Sequence, residues 1–188
     1  MKYIRNLVYA LLLTVATQVA TAQIKILYGP YLQNVKENEA TIVWEADKPS
    51  VGWVELAPDD GTHYYGEERP KYFDTTNGVK NTSLLHTVKV KGLTPGTTYR
   101  YRIYAQEVLS HEGISVIYGR VAASDVYKKK ALTFTTCDSQ KKETSFAMIN
   151  DIHGREGIIT KLLNAAGYKD KDFIIFNGDM VSVFQDRE

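Results

Sequence analysis

Leu93-Thr94-Pro95-Gly96-Thr97-Thr98-Tyr99-Arg100-Tyr101 reads as a tight turn feeding straight into a strand. Pro95 fixes its own φ and Gly96 accepts a positive one, which suits the centre of a turn. Beyond the turn, Tyr99, Tyr101 and Ile103 recur at every second position, the period of a strand with one buried face. Tyr99 comes early enough for its hydroxyl to reach back to the turn backbone, the tyrosine-corner arrangement of antiparallel sandwiches.

Working outward, the same pattern repeats. Residues 39–46 place Ala40, Ile42, Trp44 and Ala46 on one face and Thr41, Val43 and Glu45 on the other. Residues 51–57 alternate again, and Pro58-Asp59-Asp60-Gly61 closes them with turn chemistry. Residues 24–32, 84–90, 97–108, 115–122 and 131–136 complete a set of short strands separated by turn signals. The chain's 13 tyrosines sit largely in such runs, which favours β-structure. This spacing predicts a β-sandwich. With Trp44 on an early strand and the turn-Tyr99 corner, residues 23–137 resemble a fibronectin type III-like domain, a likeness that speaks to fold rather than function.

Residues 138–143 are polar and read as a linker, after which the period changes. Residues 144–149 form a short apolar run. Ile158, Ile159, Leu162, Leu163 and Ala166 then make a helical stripe over 155–166 that Gly167 can stop. Phe173-Ile174-Ile175-Phe176 is a continuous apolar strand, the signature of burial on both faces. Strand, helix, strand is a βαβ unit, which crosses over right-handed and makes its strands parallel. Ligands of open parallel sheets bind beyond the carboxyl ends of the strands. Asp151-Ile152-His153-Gly154 follows the first strand, and Asn177-Gly178-Asp179 follows the second. Asp151, His153 and Asp179 are therefore the candidate metal ligands, and a carboxylate and imidazole set suits zinc, iron or manganese better than calcium.

Those two motifs, a βαβ unit apart, resemble the opening of the calcineurin-like metallophosphoesterases. A fibronectin-like module directly before them resembles the amino-terminal domain of purple acid phosphatases. The resemblance implies that Asp151 and His153 bind a first metal ion and that Asp179 bridges to a second, with a phosphate ester as substrate. It implies a fold in which residues 144–188 are an incomplete α/β start, the first βαβ of a metallophosphoesterase domain. The family also uses a Gly-Asn-His motif and further histidines downstream, which are not found up to Glu188. The expectation is thus the amino-terminal portion of a di-metal phosphoesterase, itself without activity. Purple enzymes carry Gly at the place of His153 and Tyr at that of Ser182, so an iron-phenolate colour is not expected. The alternative is a secreted β-sandwich binding module with a non-catalytic tail.

Met1 to Ala22 reads as a signal peptide: Lys2 and Arg5, then a mostly apolar core, then Ala20-Thr21-Ala22. The run is too short to span a hydrocarbon core of ~30 Å, so no transmembrane anchor is expected after cleavage and the destination is secreted or periplasmic. Losing the cations Lys2 and Arg5 takes the net charge from +1 to −1, which gives no field that recruits nucleic acid. Lys128-Lys129-Lys130 reads as a solvated loop. Cys137 is the single cysteine, so neither a disulfide nor a zinc-thiolate cluster can form within the chain. His63, His86 and His111 are expected at the surface.

Overall fold

The computed structural model describes residues 23–124 and 131–181. The signal segment Met1 to Ala22, the run Lys128-Lys129-Lys130 and Ser182 lie outside the described residues. Two compact units result, one running to Cys137 and the other starting at Asp138.

The first unit is built on one long strand. β1 (Ile26–Gln33) pairs antiparallel with β2 (Glu39–Pro58). The two strands expected at 39–46 and 51–57 are halves of this single 20-residue β2. Its first half pairs with β1 and with β6 (Ser83–Lys91); its second half pairs with β3 (Lys71–Phe73) and β7 (Thr98–Glu112). The change of partner falls at a register break between Glu45 and Ser50. Pro49, which has no N–H to give a ladder, stands in that break. β8 (Ser115–Ala123) and β9 (Leu132–Thr135) both pair with β7.

Side chains from both halves of β2 then share one core. Ala40, Ile42 and Trp44 meet Val54 and Leu56, with Val88 and Val90 of β6, Tyr101 and Ile103 of β7, and Phe134 of β9. These are the faces that the period of two selects. The tyrosine corner forms as the turn sequence requires. The Thr94 N–H donates to the Tyr99 hydroxyl at 2.9 Å, and the Tyr99 ring stacks on Phe134 at 5.8 Å. On the outer face, Trp53 stacks on Tyr104 across the β2–β7 pair at 4.7 Å. A short hairpin of β4 (Thr75–Thr76) and β5 (Val79–Lys80) is an element that strand-length patterning passes over. Its signal is Asn77-Gly78, whose φ values of 51° and 82° are those of a two-residue hairpin turn.

In the second unit β10 (Phe146–Ile149) and β11 (Phe173–Phe176) pair parallel, in register from Phe146↔Phe173 to Ile149↔Phe176. Helix α1 (Glu156–Ala165) makes the crossover, and Gly167 in the left-handed region leads into a 3-10 turn at Tyr168–Asp170. Ala147 and Ile149 are buried, while Phe146, Met148, Phe173 and Phe176 stay exposed. Phe146 and Phe173 stack on each other at 5.4 Å. The entry to β10 is held by Asp172, which accepts from the Ser145 N–H at 2.8 Å and pairs with Lys141.

Candidate metal centre

The two loops that leave the parallel strands are stitched together through their backbones. The Asn177 N–H donates to the Ile149 carbonyl at 2.8 Å. Past the strand ends, His153 N–H reaches Asp179 O at 2.9 Å and Gly154 N–H reaches Met180 O at 2.9 Å. A longer contact of 3.4 Å joins Asp151 N–H to Gly178 O. Backbone pairing therefore carries on past the ends of β10 and β11, and it brings the Asp151-His153 loop beside the Asp179 loop. Helix α1 starts two residues after Gly154, so its electropositive N-terminus lies at the same edge of the strands.

The backbone here is unusual. Asp151, His153 and Asp179 have φ of 63°, 49° and 51°, and the flanking Gly154 and Gly178 have 70° and 88°. For side chains other than glycine this left-handed region is sparsely populated, and such residues gather at functional sites. Ile152, 2% exposed, plugs into the unit between the two ligand candidates. Asp151 and His153 thereby turn outward, with side chains 66% and 48% exposed.

Asp151 Oδ1 and His153 Nε2 meet at 2.6 Å. That separation is a direct hydrogen-bonded contact, shorter than the roughly 3–3.4 Å that two ligands of one ion with bonds of about 2.1 Å would keep, so the two side chains would have to part to share an ion. The donor types fit a borderline metal such as zinc. The structure brings Asp179 alongside through its backbone only. Among the described residues no group of three or more His, Cys, Asp or Glu side chains is gathered to hold a metal ion.

Of the other histidines, His63 and His111 are at the surface as expected. His86 is not: it has no exposed surface, and the surface expectation for it is wrong. It shares the inward face of β6 with Val88 and Val90, so the period of two held the signal. No helix among the described residues is long and apolar enough to cross a membrane.

The family model of the purple acid phosphatase N-terminal domain matches residues 29–128, more than half of the 188-residue chain. Among solved structures, a purple acid phosphatase isolated from yellow lupin (Lupinus luteus) seeds is similar at 14% identity, with a TM-score of 0.52. The match covers 81% of this chain and 29% of the lupin chain, so the chain spans under a third of that relative's length. The FN5 domain of Drosophila Lar is similar at 15% identity and a TM-score of 0.36, over 61% of this chain and 97% of that one. No curated protein matches.

Proposed function

The chain belongs to the purple acid phosphatase N-terminal domain family, and from that premise we propose that it is the amino-terminal portion of a secreted di-metal phosphoesterase. Its substrates would be phosphate mono- or diesters. The observation that supports the reading is the backbone stitching of the loop that carries Asp151 and His153 to the loop that carries Asp179, past the ends of a parallel pair. Asp151 and His153 would hold one ion, zinc, iron or manganese, and Asp179 would bridge to a second. When bound, such ions supply Lewis-acid charge and an activated water for in-line displacement at phosphorus.

The chain's own residues set the terms of that site. Ile152 anchors the loop so that the flanking donors face outward. The His153 N–H to Asp179 O bond fixes the spacing between the two loops. The start of α1 adds partial positive charge where an anionic ester would lie. Ser182 stands where purple enzymes carry the phenol, so a colourless site is expected.

The test uses the full-length protein and the variants Asp151→Ala and Asp179→Ala. Hydrolysis of a chromogenic phosphate ester is measured with zinc, manganese or iron, alongside bound metal and circular dichroism. Turnover should fall by more than the ~10–100-fold cost of losing an outer-shell partner of a metal, with the spectrum unchanged. Undiminished turnover, or none in the parent protein with any of the three metals, overturns the reading and leaves a binding module.

A further inference from the structure

Three polar side chains converge inside the first unit where hydrolysis has no use for them. His86 and Ser50 have no exposed surface, and Asp74 is 6% exposed. Ser50 Oγ lies 2.8 Å from Nε2 of His86, and Asp74 Oδ2 lies 3.4 Å from its Nδ1. The second separation exceeds the roughly 2.7–3.2 Å of an N–H···O bond. Nδ1 is thus buried beside a charge without being hydrogen-bonded. Serine, histidine and aspartate in this order make a nucleophile relay when the serine is open to substrate. Ser50 is sealed, so no ester reaches it and a hydrolytic role is excluded.

The ring occupies a purpose-shaped space. A Cβ at Gly52 would stand 2.5 Å from both Cγ and Nδ1 of His86 and 2.8 Å from the Trp44 ring. Trp44 covers the imidazole, with ring centres 5.1 Å apart. The surrounding groups serve either protonation state. A neutral ring with its proton on Nδ1 faces Asp74 and accepts from the Ser50 hydroxyl. A doubly protonated ring donates from Nε2 to Ser50 Oγ, and the hydroxyl proton turns toward the Ser83 carbonyl, a long contact of 3.4 Å. Asp74 is also the clasp of the β4–β5 hairpin. Its other carboxylate oxygen accepts from Asn81 Nδ2 at 2.8 Å, its carbonyl accepts from the Asn81 N–H at 2.9 Å, and its own N–H donates to Gly52 O at 3.0 Å.

We propose that His86, sealed in the sandwich between Ser50 and Asp74, makes the first unit acid-sensitive. Burial holds the imidazole below its ordinary range, and the Asp74 charge opposes that effect without overcoming it. Asp74 is the ionisable group acting on the ring from the hairpin side, while Trp44, Ser50 and Gly52, which meet it from β2, carry no charge. The sign follows. The unfolded chain takes up this proton near pH ~6.5, and the folded unit takes it up only lower. Stability is therefore complete above that pH and is lost as the pH falls toward the folded value.

Trp44 and Trp53 are the only tryptophans, so a Trp53→Phe background leaves Trp44, which touches the ring, as the sole indole reporter. An imidazolium quenches a neighbouring indole, so native fluorescence against pH reads His86 directly, and urea midpoints against pH read the linkage. The expected result is a fluorescence step centred below 6.5 together with falling urea midpoints. Both should vanish in His86→Gln, and the step should move to still lower pH in Asp74→Asn. Steps that persist in His86→Gln, or that do not move in Asp74→Asn, overturn the proposal. Should His86→Gln not fold, the Asp74→Asn shift and the ring-proton NMR titration of His86 decide. A His86 ring that titrates at or above 6.5 overturns it.

Discussion

The two units are assembled from similar strands, and they differ in how completely each element is covered. In the first, β2 lends its inward face to both groups of strands, so Ile42, Trp44, Val54, Val88 and Ile103 have no exposed surface. In the second, two four-residue strands and one ten-residue helix leave Phe146, Met148, Phe173 and Phe176 in contact with water. Strand sequence alone does not set stability; the number of neighbours sharing a face does, and a two-stranded sheet is marginal. The chain thus joins a unit with a closed core to one that carries the candidate chemistry on a lightly covered frame.

Trp44 is the place to break this contrast. Trp44→Ala removes the largest of the fully buried side chains, and is expected to cost about 3–5 kcal/mol. Urea unfolding followed through Trp53 should show the first unit reduced to marginal stability; an unchanged midpoint would mean that the core is not what separates the units. A smaller effect is expected at the corner. Tyr99→Phe leaves the Thr94 N–H without its acceptor and should lower the urea midpoint by the equivalent of about 1 kcal/mol, with no effect on amide exchange in β10. The mildest test sharpens the view of the second unit. Lys141 first, and the Ser145 N–H next, hold the Asp172 carboxyl below its usual 3.8. Its contribution is present above that value and lost as the pH falls through the folded one. Asp172→Asn at neutral pH, or acidification of the parent protein, should therefore lower the protection factor of the Ser145 amide, its exchange rate taken relative to an unprotected amide at the same pH; an unaltered protection factor would mean that this clasp does not hold β10.

What could be read beforehand follows from how local each signal is. The Tyr99 corner, the inward set Ala40, Ile42 and Trp44, and each strand and helix of the βαβ rest on a pattern within a dozen residues and form as that pattern predicts, although Phe173 and Phe176, read as buried on both faces, are exposed because only one strand and one helix cover them. The fusion of two strands into β2 was hidden because Pro49 reads as a breaker, yet a proline is tolerated where the strand changes partners. The β4–β5 hairpin was hidden because two-residue strands have no period to detect. His86 was misread for a different reason. A histidine is assigned to the surface unless its partners are visible, and Ser50 and Asp74 lie 36 and 12 positions away along the chain, joined only by the pairing of β2 with β6 and the fold of the hairpin. At the candidate site, residue types and strand ends were legible, while the stitching of the two loops and the left-handed backbone arise only once the chain is folded.

That backbone has a consequence for anyone who alters the protein. At Asp151, His153 and Asp179 glycine would rest more easily than the residue present. A search for sturdier variants, whether by selection or by design, would be drawn toward replacing those three. The sturdiest version of this chain would be one that had discarded the donors on which its proposed chemistry depends.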